Sequence, residues 1–415
     1  MGKYIIRGGR KLSGVVNIES AKNSVLPIMA ASIISSGIVV IKKCPKISDV
    51  FNMIKILNSL GVKTCFYEND LVINPSFIDS YTVNFELTNK LRSSFFMVGA
   101  LISRLGKAYV SYPGGCKIGK RPIDIHISGL KDVGVCIDST SEGIFCSRIK
   151  NCGGETLLPY PSVGATENLI LASVLSKGQT IIKNAAKEPE IIDLAGFLNS
   201  MGAKIYGAGS DTIFIEGVYK LYGSEYTPIP DRIEAGTYIL AAAITGGEIE
   251  LRNCKPENIS ILLNKICNNT CNISISNDII YLKSGKIRKP FSIVTGPYPE
   301  FPTDLQPQAL AYGCVSDGVF CVKETVFENR FGHVRYLNKM GAEIKVFGNT
   351  AICNGVKGLV GCEVFAEDLR GGAALTIAGL CAEGKTVVNN VEYIERGYTS
   401  FDLKLKSLGA DIVYK

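Results

Sequence analysis

Histidine is almost absent, 2 in 415 residues, and none of the 14 cysteines forms a CxxC pair. The common zinc-ligand spacings therefore cannot be assembled, and no metal is expected. His126 and His333, one in each half, offer no relay and read as structural. No Ser/His/Asp order, Walker loop or GxGxxG after a strand is present, so the usual nucleophile and nucleotide signatures are excluded. No secretory segment is read, which leaves the cysteines as reduced thiols without disulfides in a cytoplasmic protein. Most of them, such as Cys321 and Cys381, stand in apolar patterns and read as small hydrophobes. The uncharged stretch from Ser24 to Ile41 is broken by Pro27, Ser32, Ser35, Ser36 and Gly37, so it reads as a buried helix, a turn and a strand rather than a membrane span. Ile6 stands where myristoylation wants Ser or Thr. Basic clusters interleaved with aromatics are missing too. The formal charge of +7 therefore points to a small polyanion and not to nucleic acid.

What the chain does have is a repeat. An apolar helix, a glycine and a β-branched strand recur around Gly37, Gly106, Gly178, Gly247, Gly318 and Gly384, at intervals of 69, 72, 69, 71 and 66 residues. Each copy continues with a second helix ending near Gly61, Gly134, Gly202, Gly341 or Gly409, the residue type expected at a left-handed helix cap. The fourth copy has Thr270 near that place. Each copy then adds a strand, a turn and a strand. The length asks for two domains. The sixth copy stops at Lys415 before its last strand, whereas unused strand material, Tyr4–Arg7 and Val15–Ile18, precedes the first. The expectation is one domain over 22–229 and a discontinuous one over 1–21 and 230–415, with a crossover near Pro228-Ile229-Pro230.

Two features carry chemistry. In the decapeptide from Pro113 to Pro122, Cys116 sits on a glycine turn among Lys117, Lys120 and Arg121, surroundings that favour a thiolate and let a ligand approach the backbone. Cations also recur at helix starts: Lys22, Arg92 and Arg370 at first helices, and Arg121, Arg330 and Arg396 at second helices. Positive charge at that end opposes the helix dipole, at about 0.3–1 kcal/mol each. Six such placements imply a pocket for a multiply charged anion such as a phosphate or carboxylate. Acids there are what capping alone predicts, so Asp49, Asp231 and Glu234 read as caps, and Asp304 is divided between a cap and a functional group.

These residues resemble the enolpyruvyl transferases over essentially the whole chain. The resemblance is carried by Ala21-Lys22-Asn23-Ser24, Leu91-Arg92, the loop through Arg121-Pro122, Pro161-Ser162-Val163-Gly164-Ala165-Thr166, Phe301-Pro302-Thr303-Asp304, Phe327-Glu328-Asn329-Arg330-Phe331, Asp368-Leu369-Arg370 and Glu395-Arg396-Gly397-Tyr398. It implies an α/β fold of six βαβαββ units, three per domain in an inside-out α/β barrel, around a cleft that closes on substrate. It also implies transfer of the enolpyruvyl group of phosphoenolpyruvate to the 3-hydroxyl of UDP-N-acetylglucosamine with release of phosphate, without cofactor or metal, at the start of peptidoglycan synthesis. The implied catalytic residues are Cys116, which donates a proton or adds covalently, Asp304, which accepts the hydroxyl proton, and Lys22 and Arg396, which stabilise departing phosphate. Phosphoenolpyruvate would be held by Lys22, Arg121, Arg370 and Arg396. The nucleotide sugar would be lined by Asn23, Arg92, Arg121, Pro122, Ile123, Asp124, Ile125, Ser162, Val163, Gly164, Asp304 and Val326, with Arg330 in the binding set. The chain departs from the family pattern at Glu19-Ser20 and Pro307, away from these positions. Small-molecule partners and a monomer are expected. The alternatives are the shikimate-using branch of the family, or a nucleotide-sugar sensor without turnover.

Overall fold

The computed structural model describes residues 2–112, 123–149, 153–267, 270–285 and 287–415. The loop 113–122, with Cys116, Arg121 and Pro122, lies outside the described residues, as does the helix end before Thr270. The described residues form two compact units, one of 20–112 and 123–229, the other of 2–19 and 230–415.

The unit that begins at Ser20 holds three four-stranded sheets. In spatial order they are Glu225–Tyr226, Val39–Ile41, Asp70–Asn74, Lys63–Tyr67; then Thr82–Val83, Lys107–Ser111, Gly143–Arg148, Val135–Ser139; then Gly154–Leu157, Gln179–Lys183, Thr212–Glu216, Lys204–Tyr206. Each opens with a parallel pair and continues with two antiparallel pairs. A parallel pair needs a crossover, supplied by Met97–Leu105 in the second sheet and Val163–Ser173 in the third. A second helix then leads to the closing hairpin, so the repeating element is βαβαββ.

The other unit repeats the pattern with Ser13–Asn17, Glu248–Arg252, Ile279–Ser284, Cys271–Ser276; Ser292–Val294, Val319–Lys323, Thr350–Asn354, Glu343–Phe347; and Glu363–Phe365, Lys385–Asn389, Lys3–Arg7, Asp411–Tyr414. The N-terminal strands complete the C-terminal copies: Ile5 pairs with Val387 and Val413 in the sixth, and Val15 with Glu250 in the fourth. Likewise Glu225–Tyr226 supplies the opening strand that the first copy lacks.

Strands alternate, as Ile213 and Ile215 buried beside Phe214 and Glu216 exposed illustrate. The first helix of each copy has no such alternation. Every residue of Ile233–Ile244 and of Leu369–Leu380 is buried, so beyond their charged first turns these helices are apolar on every side and form the core of their unit. Helices lie inside and sheets outside, and among the described residues no sheet closes into a barrel. The second helices end at glycines with φ of +86° to +101° at Gly61, Gly134, Gly202, Gly341 and Gly409, where a side chain would be strained.

Small residues let the core helices touch. A Cβ at Gly99 would lie 2.3 Å from the Asn168 carbonyl oxygen, and the Gly99 N–H donates to Asn168 Oδ1 at 2.7 Å. Because the obstacle is backbone in a packed core, Gly99→Ala should lower unfolding free energy by roughly 1–3 kcal/mol. Denaturant unfolding checks this, and an unchanged midpoint would contradict the packing.

Candidate active site

In the unit that begins at Ser20, Lys22 is the first residue of helix Lys22–Ala31, with Asn23 next, and Ala21 offers no side-chain cap. The Lys22 Nζ lies 2.7 Å from Asp49 Oδ2, a carboxylate 1% exposed. Asp49 stands in the first turn of Ser48–Ser59, whose cap position is Ile47. It is therefore the counter-ion of Lys22, a role beyond the cap that its position predicted.

Three more chain segments open close together. Arg92 begins the 3-10 helix Arg92–Phe96, Ile123 caps a helix whose first residues are Asp124 and Ile125, and Ser162 caps Val163–Ser173 by accepting from the Ala165 N–H at 3.4 Å. They meet on His126. Its ring stands edge-on to Phe95 at 5.0 Å. Its Nδ1 lies 3.2 Å from Asn168 Nδ2. A Cβ at Gly164 would come within 3.2 Å of its Cε1. An amide nitrogen only donates, so Nδ1 accepts and the proton sits on Nε2. Burial, then the Arg92 charge, pushes the His126 pKa down to about 3. His126 is a neutral ring packed among Phe95, Asn168 and Gly164, within reach of the Arg92 charge.

In the other unit the centre is Asp304. Its Oδ1 accepts from Arg330 Nη2 and its Oδ2 from Arg370 Nη2, both at 3.0 Å. The arginine side chains are 2% and 3% exposed, whereas Asp304 keeps 27%, so the carboxylate faces outward from a cationic wall. Asp304 lies in the first turn of Thr303–Leu305, and its carboxylate binds both arginines, a role that capping alone does not predict. Asp368 steadies the wall: it caps helix Leu369–Cys381 by accepting from the Arg370 and Gly371 N–H groups at 3.0 Å and lies 3.6 Å from Arg330 Nη1. Burial alone would lower the Arg370 pKa, but the negative charge of Asp304, with further contributions from Tyr398 and Asp231, outweighs it and holds the pKa raised. Among the described residues, Arg370 Nε and Nη1 are buried without a hydrogen-bond partner. A buried charged donor left unbonded is costly, and an incoming anion would satisfy it.

Arg370 also lies 5.4 Å above the Tyr398 ring. The Tyr398 hydroxyl meets Thr237 Oγ1 at 2.8 Å and Gln308 Nε2 at 3.2 Å. Arg396 ends the 3-10 helix Val391–Arg396, shortly before helix Phe401–Ser407. The Val326 N–H is fixed by Glu324 Oε1 at 2.8 Å. Asp231 does cap its helix, accepting from Ile233 and Glu234 N–H groups at 2.8 and 3.0 Å. Glu234 instead pairs with Lys404 at 2.8 Å, and burial, opposed by that lysine, pushes its pKa up to about 7. His333 is buried and its pKa falls to about 4, chiefly through burial.

The cations at helix starts are thus not bare charge. Lys22, Arg330 and Arg370 each bring an acid. Sequence reasoning weighed Asp304 but missed Asp49 as a counter-ion and gave no role to Tyr398 or Glu324. The signal for Tyr398 was its place beside Arg396, and Glu324 stands just ahead of Val326.

A family model for EPSP synthase (3-phosphoshikimate 1-carboxyvinyltransferase) matches residues 6–405. The chain belongs to the enolpyruvyl transferase family. It is 50% identical over 414 residues to UDP-N-acetylglucosamine 1-carboxyvinyltransferase 2 of Caldanaerobacter subterraneus, covering 100% of this chain and 99% of that one. It is 46% identical to UDP-N-acetylglucosamine 1-carboxyvinyltransferase 1 of Clostridium acetobutylicum, with 99% of each chain covered. The fold of this enolpyruvyl transferase is shared by NikO of Streptomyces tendae, at TM-score 0.89 and 23% identity over 100% of this chain and 99% of that one. It is shared by EPSP synthase of Acinetobacter baumannii at TM-score 0.78 and 16% identity, with 100% of both covered. Among the described residues of the transferase, no helix is long and apolar enough to cross a membrane.

The neutral His126 has a measurable consequence. A histidine whose folded pKa is depressed contributes stability above its unfolded value of about 6.5 and loses it as pH falls. Between pH 7 and pH 5 the wild type should lose about 2 kcal/mol relative to His126→Gln. Urea unfolding of both proteins at the two pH values checks this, and a pH-independent difference would contradict it.

Proposed function

We infer that this transferase moves the enolpyruvyl group of phosphoenolpyruvate to the 3-hydroxyl of UDP-N-acetylglucosamine and releases phosphate, the first committed step of peptidoglycan synthesis. The observation that carries this reading is the 50% identity, end to end, with a relative named for that activity. Lys22, Arg121, Arg370 and Arg396 hold the phosphate and carboxylate, and Nε and Nη1 of Arg370, which no described residue bonds, supply donors for one of them. Asn23, Arg92, Arg121 to Ile125, Ser162 to Gly164, Asp304, Val326 and Arg330 receive the nucleotide sugar.

In the reaction the sugar 3-oxygen bonds to C2 of phosphoenolpyruvate and gives its proton to Asp304, while the methylene carbon takes a proton from Cys116. Loss of phosphate and of a proton from that carbon restores the double bond. Lys22 and Arg396 neutralise the leaving phosphate. Asp304 between two guanidiniums is a restrained base. An anion that draws the positive charge of Arg370 to itself loosens that restraint, so the base strengthens once phosphoenolpyruvate is bound. Lys117, Lys120 and Arg121 follow Cys116 closely in sequence, a pattern that favours the thiolate a covalent adduct needs. The reading carries with it a cytoplasmic monomer acting on small molecules.

Phosphate release from phosphoenolpyruvate should depend on UDP-N-acetylglucosamine and not occur with shikimate 3-phosphate. Turnover with the latter would favour the shikimate branch, and folded protein silent with both would sink the reading. The epoxide phosphonate fosfomycin should add its mass once, at Cys116. Cys65 and Cys267, the exposed thiols among the described residues, serve as internal controls, and a label on either would contradict the assignment.

A further inference from the structure

Glu324 is a buried carboxylate, 2% exposed, directly after strand Val319–Lys323. Four neutral donors converge on it. Oε1 accepts from Thr295 Oγ1 at 2.8 Å, from the Val326 N–H at 2.8 Å and from the Phe327 N–H at 3.2 Å. Oε2 accepts from Thr303 Oγ1 at 3.0 Å. Thr295 in turn receives the Thr325 N–H at 2.9 Å on its hydroxyl and the Thr325 hydroxyl at 2.5 Å on its carbonyl. The parallel pairing of Ser292–Val294 with Val319–Lys323 brings Thr295 and Glu324 side by side where both strands end.

Burying a negative charge is costly unless several donors stabilise it. Only a carboxylate, which accepts on both oxygens, can take all four donors as they stand. A glutamine has one acceptor oxygen and must turn an NH₂ group toward one of them. The ties run to the two chain segments that matter for the proposed chemistry. Thr303 immediately precedes Asp304, and its carbonyl also accepts from Arg330 Nη2 at 3.2 Å. Val326 stands in the segment assigned to the nucleotide sugar.

We propose that Glu324 and Thr303 are positioning residues for the transfer: the Glu324 carboxylate locks the Thr303–Asp304 turn and the Val326–Phe327 backbone in one register, so that the base and the sugar-binding backbone hold a fixed separation. This rests on the transfer reading above. It assigns Glu324 no contact with substrate. Its effect is geometric, and misplacement of a reacting group by about 1 Å costs on the order of 100-fold in rate.

The test compares the wild type with Thr303→Val, Thr303→Ser and Glu324→Gln, each by steady-state phosphate release with UDP-N-acetylglucosamine and by thermal unfolding. Thr303→Val keeps the volume but removes the tie to Oε2, so kcat should fall about 10- to 100-fold, with the phosphoenolpyruvate KM within threefold, the unfolding temperature lowered and the protein still folded at the assay temperature. Thr303→Ser should restore most of the rate. Glu324→Gln should lower kcat and raise the KM for the sugar nucleotide, since the Val326 side of the lock is also disturbed. A Thr303→Val enzyme within threefold of wild-type kcat would overturn the proposal, as would a rate loss that follows a loss of stability and that serine does not rescue. Wild-type protein without sugar-dependent phosphate release would instead overturn the underlying reading, and the proposal with it.

Discussion

One carboxylate between two buried guanidiniums organises the chemistry of the unit that carries it. Asp304 takes Arg330 on one oxygen and Arg370 on the other, and the three residues come from different chain segments. Removing one member of a buried ion pair costs roughly 3–5 kcal/mol because it strands the other charge. The same interaction therefore holds the turn Thr303–Leu305, the Arg330 segment and the start of helix Leu369–Cys381 in register. It also leaves two donors of Arg370 without partners among the described residues. The residues that stabilise the arrangement are those that an anionic substrate would engage.

The repeat explains why such groups are available. Each copy contributes an apolar helix buried on every side, and a helix of that kind has only its ends free for polar work. Lys22 and Arg370 occupy the first turns of such helices. Asp49 and Asp304 answer them from neighbouring segments. In the unit that begins at Ser20, the neutral His126 packs with Asn168, Phe95 and Gly164 where the Arg92 and Ser162 segments open.

Much of this was legible in the sequence, for physical reasons. The repeat showed in its glycines, because a left-handed cap tolerates little else, and the missing strand of the sixth copy matched the spare strands at the N-terminus. Lys22, Arg92 and Arg370 stood out because a cation at a helix start contradicts the local preference, and only a longer-range interaction can justify it. The acids were harder. Asp49 and Glu234 agree with the local rule for helix starts, so nothing in their neighbourhood distinguished a cap from a buried counter-ion of Lys22 or Lys404. Asp304 meets an arginine 66 residues away, and Glu324 gathers donors from Thr295, Thr303 and Val326 across two strands. Such partnerships leave no local pattern. Cys116, the most conspicuous residue in the sequence, lies outside the described residues, and its role rests on resemblance.

The central claim is that the Asp304 carboxylate, held by Arg330 and Arg370, is the group that takes the proton from the acceptor hydroxyl. Steady-state kinetics of Asp304→Asn test it most directly, since asparagine keeps the volume and one acceptor oxygen but cannot take the proton. The account predicts a kcat lower by about 10²- to 10⁴-fold with phosphoenolpyruvate still bound by the folded protein. A kcat within tenfold of the wild type would contradict it.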